Sequence, residues 1–144
     1  MPGGQAEADL PFESLDFLYV PSADVARDLA FYRDVLGGEI VFAIEAFGAR
    51  VAEVRLAGDS PHLLLADHLS GEAPVFVHRA PDLEQSLTEL RARGLEVVAE
   101  FDIPPGPAAE LSTPGGQRIA VYESTRPEVY ERFPGRLDFE IPSS

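Results

Sequence analysis

Four side chains of this sequence have the chemistry for acid–base work: Glu45, Glu53, His62 and Tyr122. A carboxylate, an imidazole and a phenol can each exchange a proton with a bound ligand, provided that two of them converge in the folded chain. These residues make a metal-independent enzyme one of three functions to weigh. The other two are a protein that only binds a small molecule and a structural or regulatory domain with a vestigial pocket.

Other kinds of catalytic chemistry have little support in the sequence. The chain has no cysteine, so thiolate and disulfide chemistry are excluded. No nucleophile elbow, phosphate-binding loop or paired metal-binding histidine motif is present. The three histidines, His62, His68 and His78, are scattered along the chain. Such a distribution is more typical of surface or partly buried structural residues than of a shared metal site.

Length and charge restrict the possible partners. With 144 residues the chain can form one domain with a core. Its net charge of −14 repels nucleic-acid phosphates and anionic membranes, so neither is expected as a partner. No apolar run approaches the roughly 18 residues of a membrane span. Residues 1–13 are small, polar and acidic and lack the features of a secretory signal. They are predicted to form a disordered leader, and a cytoplasmic location is expected.

Two helices with the same layout are predicted. Asp24 and Asp82 can each cap a helix, because an aspartate side chain accepts a hydrogen bond from the first turn. The apolar stripes that follow are Val25, Leu29, Tyr32 and Leu36 in the first helix and Leu83, Leu87 and Leu90 in the second. Caps and stripes correspond at a constant offset of 58 positions. Gly37 and Gly94 then end the two helices.

Each helix follows one predicted strand and precedes three. The strand LDFLYV (15–20) points Phe17 and Tyr19 to one face and Asp16, Leu18 and Val20 to the other, because side chains alternate along a strand. The first helix is followed by strands in GEIVFAIEA, ARVAEVRLA and PHLLLAD. The second helix lies between APVFVHR and the strands in LEVVAEF, 108–111 and QRIAVYES. This repetition predicts a duplicated βαβββ unit.

The segments that carry a family resemblance are Asp24 with the following AFYRDVLGG, and TPGGQRIAVYE near the end of the second unit. Together with the repeat they resemble the vicinal oxygen chelate superfamily, which includes glyoxalase I, extradiol dioxygenases, fosfomycin-modifying enzymes and bleomycin-resistance proteins. The resemblance covers residues 14–124. It implies an α+β fold in which two tandem βαβββ modules, about 14–70 and 73–124, form curved mixed sheets around a cavity.

The resemblance also indicates where metal ligands would lie. Metal-using members place one ligand on each of four strands, and the corresponding positions here are Phe17, Leu64, Val75 and Ala120. All four side chains are apolar and offer no lone pair to a divalent cation. We therefore expect no metal and no cofactor.

Because side chains alternate between the two faces of a strand, the sequence predicts which residues line a metal-free ligand-binding pocket. The side chains expected to line it are Phe17, Tyr19, His62, Leu64, Val75, Val77, Arg118, Ala120 and Tyr122. An apolar and aromatic lining with a few polar groups is typical of a small-molecule site. Within the superfamily, loss of the metal ligands is associated with proteins that sequester antibiotics. The preferred prediction is thus a metal-free protein that binds a planar or cationic small molecule, and a metal-independent lyase or isomerase is the alternative.

Residues 125–144 form a tail beyond the second module. Its apolar residues include Val129, Tyr130, Phe133, Leu137, Phe139 and Ile141. A segment this apolar is expected to pack, either on its own domain or on the partner subunit of a homodimer.

The apolar ligand positions lead to a first testable prediction. Purified protein should contain no stoichiometric divalent ion, which elemental analysis can measure. A stoichiometric amount of nickel, zinc, iron or manganese that is lost in His62→Ala would contradict it.

Overall fold

Eight strands form one sheet in the computed structural model, which describes residues 10–46 and 48–143. The strands are β1 (Ser14–Pro21), β2 (Glu39–Ala46), β3 (Ala49–Arg55), β4 (His62–Ala66), β5 (Val75–Arg79), β6 (Val97–Ile103), β7 (Gly106–Leu111) and β8 (Arg118–Tyr122). The helices are α1 (Val25–Asp34), α2 (Leu83–Ala92) and α3 (Pro127–Tyr130). The strand order is β2-β3-β4-β1-β5-β8-β7-β6. The prediction of an α+β fold with two tandem βαβββ modules is confirmed.

The two modules meet at the antiparallel pair β1–β5 in the centre of the sheet. Phe17 lies opposite Val77, and Tyr19 lies opposite Val75. Within each module the first strand runs parallel to the last one, β1 beside β4 and β5 beside β8. The first strands of both modules therefore lie side by side in the middle, and the module halves form one continuous sheet.

Helices α1 and α2 begin with equivalent caps. The carboxylate of Asp24 accepts a hydrogen bond from the backbone N–H of Arg27 at 3.1 Å, and that of Asp82 accepts one from Gln85 at 3.0 Å. Such caps satisfy a backbone donor that the first helical turn leaves free. After the helices, Gly37 and Gly94 have φ angles of 77° and 99°, a left-handed conformation that glycine adopts readily.

Both helices pack on the same face of the sheet, which we call the helix face; the opposite one is the open face. Leu29 of α1 belongs to a cluster with Val54 and Leu65, and Leu87 of α2 belongs to one with Val121. The predicted buried stripe is wrong at Leu36, which is 52% exposed because α1 ends two residues earlier.

The C-terminal segment wraps around the edge of the sheet at β2. Helix α3 lies over the open face, where the ring of Tyr130 contacts that of Phe42. The chain then runs along β2: the backbone N–H of Gly135 donates to the carbonyl of Val41, and that of Ala43 donates to Arg136, both at 2.8 Å. Beyond this point the tail reaches the helix face.

On the helix face, Phe139 and Ile141 of the tail pack against the cluster around Leu29. At the other end of the chain, residues 1–9 of the predicted leader lie outside the described residues. Phe12 packs against the cluster around Leu87. In the described part of the chain, no helix has the length and apolar character needed to cross a bilayer.

The equivalence of the helices leads to a second prediction. Leu29 and Leu87 are 0% and 3% exposed. Replacing either one with alanine should lower the free energy of unfolding by about 2–5 kcal/mol, because a buried cavity replaces packed atoms. Chemical denaturation measures the effect, and Leu36→Ala, at an exposed position, is the matched control. Equal losses in the control and in either core variant would contradict the structure.

Candidate functional site

A cavity of about 660 Å³ lies between the open face of the sheet and the C-terminal segment. Strands of both modules and helix α3 contribute to its wall. The titratable and charged side chains on this wall are Asp16, Glu39, Glu53, Arg55, His62, Arg79, Tyr122, Tyr130 and Glu131. The cavity is thus richer in charge than the predicted lining.

Glu53 and His62 meet on the open face from adjacent strands, β3 and β4. Nδ1 of His62 lies 2.7 Å from Oε2 of Glu53, within hydrogen-bonding distance. The side chain of Glu53 is only 2% exposed, whereas that of His62 is 25% exposed. Both side chains lie on the cavity wall, where the carboxylate is almost fully buried and the imidazole ring is partly exposed.

The second oxygen of Glu53 also has a partner. The hydroxyl of Tyr130, on α3, donates a hydrogen bond to Oε1 of Glu53. The tyrosine ring is held by aromatic neighbours, with centroids 6.0 Å from those of Phe17 and Phe42 and 5.9 Å from that of Phe133. The C-terminal segment thus completes the surroundings of this carboxyl group.

The surroundings of the Glu53 carboxyl group raise its pKa. Burial raises the pKa of the Glu53 carboxyl group, because the charged form loses hydration. The hydrogen bond and charge of His62, and the charge of Arg55, lower it by a smaller amount. A carboxyl group with a raised pKa in a cavity is a frequent feature of functional sites.

A β-bulge brings Asp16 to the same cavity. The register of β1 against β5 shifts between Leu15 and Phe17, so Asp16 is the extra residue. Its carboxylate accepts a hydrogen bond from the Tyr122 hydroxyl at 2.5 Å and lies 3.7 Å from Nε of Arg79. The prediction that Asp16 points away from the face of Phe17 is wrong, because strict alternation fails across a bulge.

Tyr122 is a hydrogen-bond donor in this arrangement. Burial raises the pKa of its phenol, and the hydrogen bond and charge of Asp16 raise it further. The hydroxyl therefore stays protonated at neutral pH. Tyr122 can support the wall of the cavity, where its ring centroid lies 6.3 Å from that of Phe17, but it is unsuited to act as a base.

Three of the predicted lining residues, Phe17, His62 and Tyr122, lie on the cavity wall. Val75, Val77 and Ala120 lie on the same sheet face but are packed into a buried cluster. Their small apolar side chains fill the space between strands of the second module. A role for these three residues in ligand binding stays a prediction.

The remaining predicted lining residues lie farther along the sheet. Leu64 pairs with Tyr19 and with Glu53 in neighbouring strands. Arg118 donates hydrogen bonds from Nη1 to the carbonyls of Ser70 and Ala73, both at 2.8 Å. These hydrogen bonds hold the loop that contains Ser70 and Ala73. They occupy a guanidinium group that the alternation of side chains along the strand had placed in the predicted pocket.

Tyr19 is engaged by a histidine away from the cavity wall. Its hydroxyl lies 3.4 Å from Nε2 of His68. Burial, with a contribution from the charge of Asp67, raises the pKa of Tyr19 to about 12. Its contribution to ligand binding also stays a prediction.

Of the four acid–base candidates, Glu53 and His62 are directly bonded, and Tyr122 lies on the same wall. Glu45 does not join them, since its carboxylate pairs with Nε of Arg50 at 2.9 Å on the exposed surface. Sequence reasoning missed Tyr130. The sequence signal for Tyr130 was the apolar character of the tail. This signal did not indicate which surface the tail covers.

Comparisons with known proteins agree with this architecture. The family model of the Glyoxalase/Bleomycin resistance protein/Dioxygenase superfamily matches residues 14–121. The chain belongs to this superfamily. The resemblance to the vicinal oxygen chelate proteins is thereby confirmed. No curated protein sequence matches the chain.

Solved structures with the same fold include three that cover most of the chain. The methylmalonyl-CoA epimerase of Mycobacterium tuberculosis has a TM-score of 0.68 and 20% identity, covering 85% of this chain and 95% of that one. A hypothetical protein of Bacillus halodurans has a TM-score of 0.66 and 16% identity, with coverage of 78% and 95%. A variant of the Streptomyces coelicolor methylmalonyl-CoA epimerase, in complex with 2-nitronate-propionyl-CoA, has a TM-score of 0.66 and 17% identity, with coverage of 79% and 96%. At these identities the likeness establishes the fold alone.

The positions that correspond to the metal ligands of the superfamily do not fit a metal. Phe17, Leu64, Val75 and Ala120 supply only hydrocarbon to the open face. Within residues 10–46 and 48–143, no group of three or more His, Cys, Asp or Glu side chains is arranged to hold a metal ion. Glu53 and His62 offer one carboxylate and one imidazole, which is fewer than the ligands of a stable site.

The buried carboxyl group leads to a third prediction. A raised pKa means that the folded state binds the Glu53 proton more tightly than the unfolded state does. The associated stability is present at low pH and is lost as the pH rises through the raised pKa. Glu53→Gln removes this dependence, and its amide can still accept from His62 and donate to Tyr130. The variant should therefore gain stability relative to wild type on going from pH 5 to pH 8, by about 1.4 kcal/mol for each unit of raised pKa.

Thermal or urea unfolding at both pH values measures this difference. Glu45→Gln, at an exposed carboxylate, is the control and should show little pH-dependent change. A loss of stability of Glu53→Gln relative to wild type as the pH rises would contradict the prediction. It would show that the charged carboxylate stabilises the fold.

Proposed function

We propose that this protein binds a small organic molecule in the cavity between the open face and the C-terminal segment. The observation that carries the proposal is the combination of aromatic rings with a buried, hydrogen-bonded carboxyl group on one cavity wall. A volume of about 660 Å³ lies within the range of small-molecule sites. Side chains that only filled a core would leave no such space beside an acidic group.

The rings on the wall favour a ligand with a planar apolar part. Phe17 lies between Tyr122 and Tyr130, with ring centroids 6.3 Å and 6.0 Å away. Aromatic contacts of this kind add about 0.5–1.5 kcal/mol beyond the burial of apolar area. Phe17 is the central member of the three and is therefore the side chain whose loss should weaken binding most.

The charges on the wall favour a ligand that is neutral or cationic. Four carboxylates, those of Asp16, Glu39, Glu53 and Glu131, face two guanidinium groups, those of Arg55 and Arg79. Arg55 is paired with Glu39 at 3.2 Å and Arg79 lies 3.7 Å from Asp16, so each guanidinium group has a carboxylate partner and two further carboxyl groups remain on the wall. The net charge of −14 acts in the same direction at long range. A planar or cationic antibiotic, held without chemical change, is one ligand of this type and would make the protein a resistance factor.

A homodimer in the cytoplasm is proposed as the working form. The outer strand β6 exposes Val98 (60%) and Phe101 (43%) at the edge that the tail does not cover. Apolar side chains beside an unpaired strand edge favour association with a second copy. Light scattering in solution tests the oligomeric state.

The fourth prediction tests ligand binding. In a calorimetric screen of planar antibiotics of the bleomycin and mitomycin types, together with other planar cations, at least one compound should bind wild-type protein. Phe17→Ala should weaken that binding about ten-fold or more, because an aromatic contact and buried area are both lost. Phe31→Ala is the matched control, since Phe31 is 44% exposed on α1 and lies on the helix face.

The ligand-binding function would be wrong if no planar compound bound. It would also be wrong if Phe17→Ala and Phe31→Ala had equal effects on affinity. Unfolding measurements on both variants separate a loss of affinity from a loss of fold.

A further inference from the structure

One carboxylate on the cavity wall has no partner within the described chain. Glu131, which directly follows α3, is exposed and lines the cavity between the open face and the C-terminal segment. Among residues 10–46 and 48–143, no side chain or backbone group forms a hydrogen bond or an ion pair with its carboxylate. This negative charge is therefore not balanced at close range by any group that the structure describes.

Two other carboxylates on the wall are held by guanidinium groups. Glu39 lies 3.2 Å from Nη1 of Arg55, and Asp16 lies 3.7 Å from Nε of Arg79. Asp16 also accepts the hydrogen bond of the Tyr122 hydroxyl. A ligand that used either carboxylate would have to displace a contact that the protein already makes, so the new contact would replace an old one.

The carboxyl group of Glu53 is engaged at both of its oxygens. Oε2 lies 2.7 Å from Nδ1 of His62, and Oε1 accepts the hydrogen bond of the Tyr130 hydroxyl. The side chain is only 2% exposed, so a cation would have to lose its hydration to reach it. Glu131 is thus the carboxylate on the wall that is open to a ligand.

The local structure does not depend on the Glu131 carboxylate. The residue lies at the C-terminal end of α3, where the helix dipole favours a cation over an anion. Helix α3 is held on the sheet by the ring of Tyr130, whose centroid lies 6.0 Å from those of Phe17 and Phe42. The packing of α3 therefore relies on the residue before Glu131 and leaves its charge free for another role.

We propose that Glu131 selects a positively charged ligand, by contacting the cationic group of a planar molecule that packs on Phe17. The inference rests on the ligand binding proposed above and assigns the recognition of charge to one side chain. Tyr130 and Glu131 are consecutive, so their Cα atoms are about 3.8 Å apart. Because the Tyr130 ring contacts Phe17, the carboxylate lies near the aromatic part of the site. The ligand class is a planar aromatic cation whose charge lies on its rings or directly at their edge.

The strength of this contact is limited by its exposure. An attraction between charges that water can reach is modest and is screened by salt. The carboxylate partners of Arg55 and Arg79 reduce the repulsion that these guanidinium groups would exert on a cation. Glu131 should therefore change the affinity for a cation by a few-fold and leave the affinity for an uncharged ring system almost unchanged.

The fifth prediction uses 9-aminoacridine as the probe, because it is a planar cation at pH 8. Acridine has the same three rings and is uncharged at this pH, so it is the matched ligand. Fluorescence titration at low salt measures both affinities. Wild-type protein should bind 9-aminoacridine about three-fold or more tightly than acridine, and added salt should reduce the difference.

Substitutions at Glu131 separate charge from shape. Glu131→Gln should weaken the binding of 9-aminoacridine about three-fold, and Glu131→Arg about ten-fold or more, because attraction becomes repulsion. Acridine should lose less than about two-fold in affinity, since it has no charge to lose contact with. Glu128→Gln and Glu128→Arg are the matched controls, because Glu128 is exposed on the same helix and does not line the cavity. They change the net charge equally and should leave both affinities unchanged.

Equal losses for Glu131→Arg and Glu128→Arg would overturn the proposal, since only the long-range field of the protein would then act on the ligand. Equal losses for 9-aminoacridine and acridine would also overturn it, because the contact would then be one of shape. If neither acridine binds, the cations that bind in the calorimetric screen take their place, and a set of binders without a cation would overturn the inference while leaving the ligand-binding function intact. If no planar compound binds, both proposals are wrong.

Discussion

The antiparallel pairing of β1 with β5 is the constraint on which the rest of the structure depends. It joins two modules that each contain a four-stranded half-sheet, and it places both helices on one face. The opposite face is left for the C-terminal segment to cover. Because Asp16 forms a bulge in this pair, the central seam also carries the carboxylate that holds Tyr122. The backbone pairing that joins the two modules therefore also positions part of the cavity wall.

Much of the fold could be predicted from local patterns. Cap and stripe recur at an offset of 58 residues, and a glycine follows each stripe; together they predict α1, α2 and the duplicated unit without reference to distant contacts. The end of α1 was placed too late, since Leu36 continues the apolar period but lies beyond the helix. The period of the apolar residues indicates which side chains can be buried. It does not indicate where the backbone hydrogen bonds of the helix end.

The site was harder to predict because its contacts span long stretches of chain. Glu53 and His62 meet through the register of β3 against β4, which places Val54 opposite Leu63. Tyr130 reaches Glu53 across 77 residues. No local signal encodes a contact of that length, so the sequence could name Glu53 and His62 as candidates but could not pair them or add the tyrosine.

The two modules share one fold but carry different side chains at equivalent positions of the sheet. The register of the sheet identifies equivalent positions: Phe17 lies opposite His62 in the first module, and its counterpart Val75 lies opposite Arg118 in the second. In the same way, the pairing of β3 with β4 and of β7 with β8 makes Glu110 the counterpart of Glu53, so the second-module copy of the Glu53–His62 pair consists of Glu110 and Arg118. The guanidinium of Arg118 is bonded to two loop carbonyls, whereas the Glu53–His62 pair lies on the cavity wall. The same backbone positions thus carry a carboxylate–imidazole pair beside a cavity in one module and a loop-binding arginine in the other.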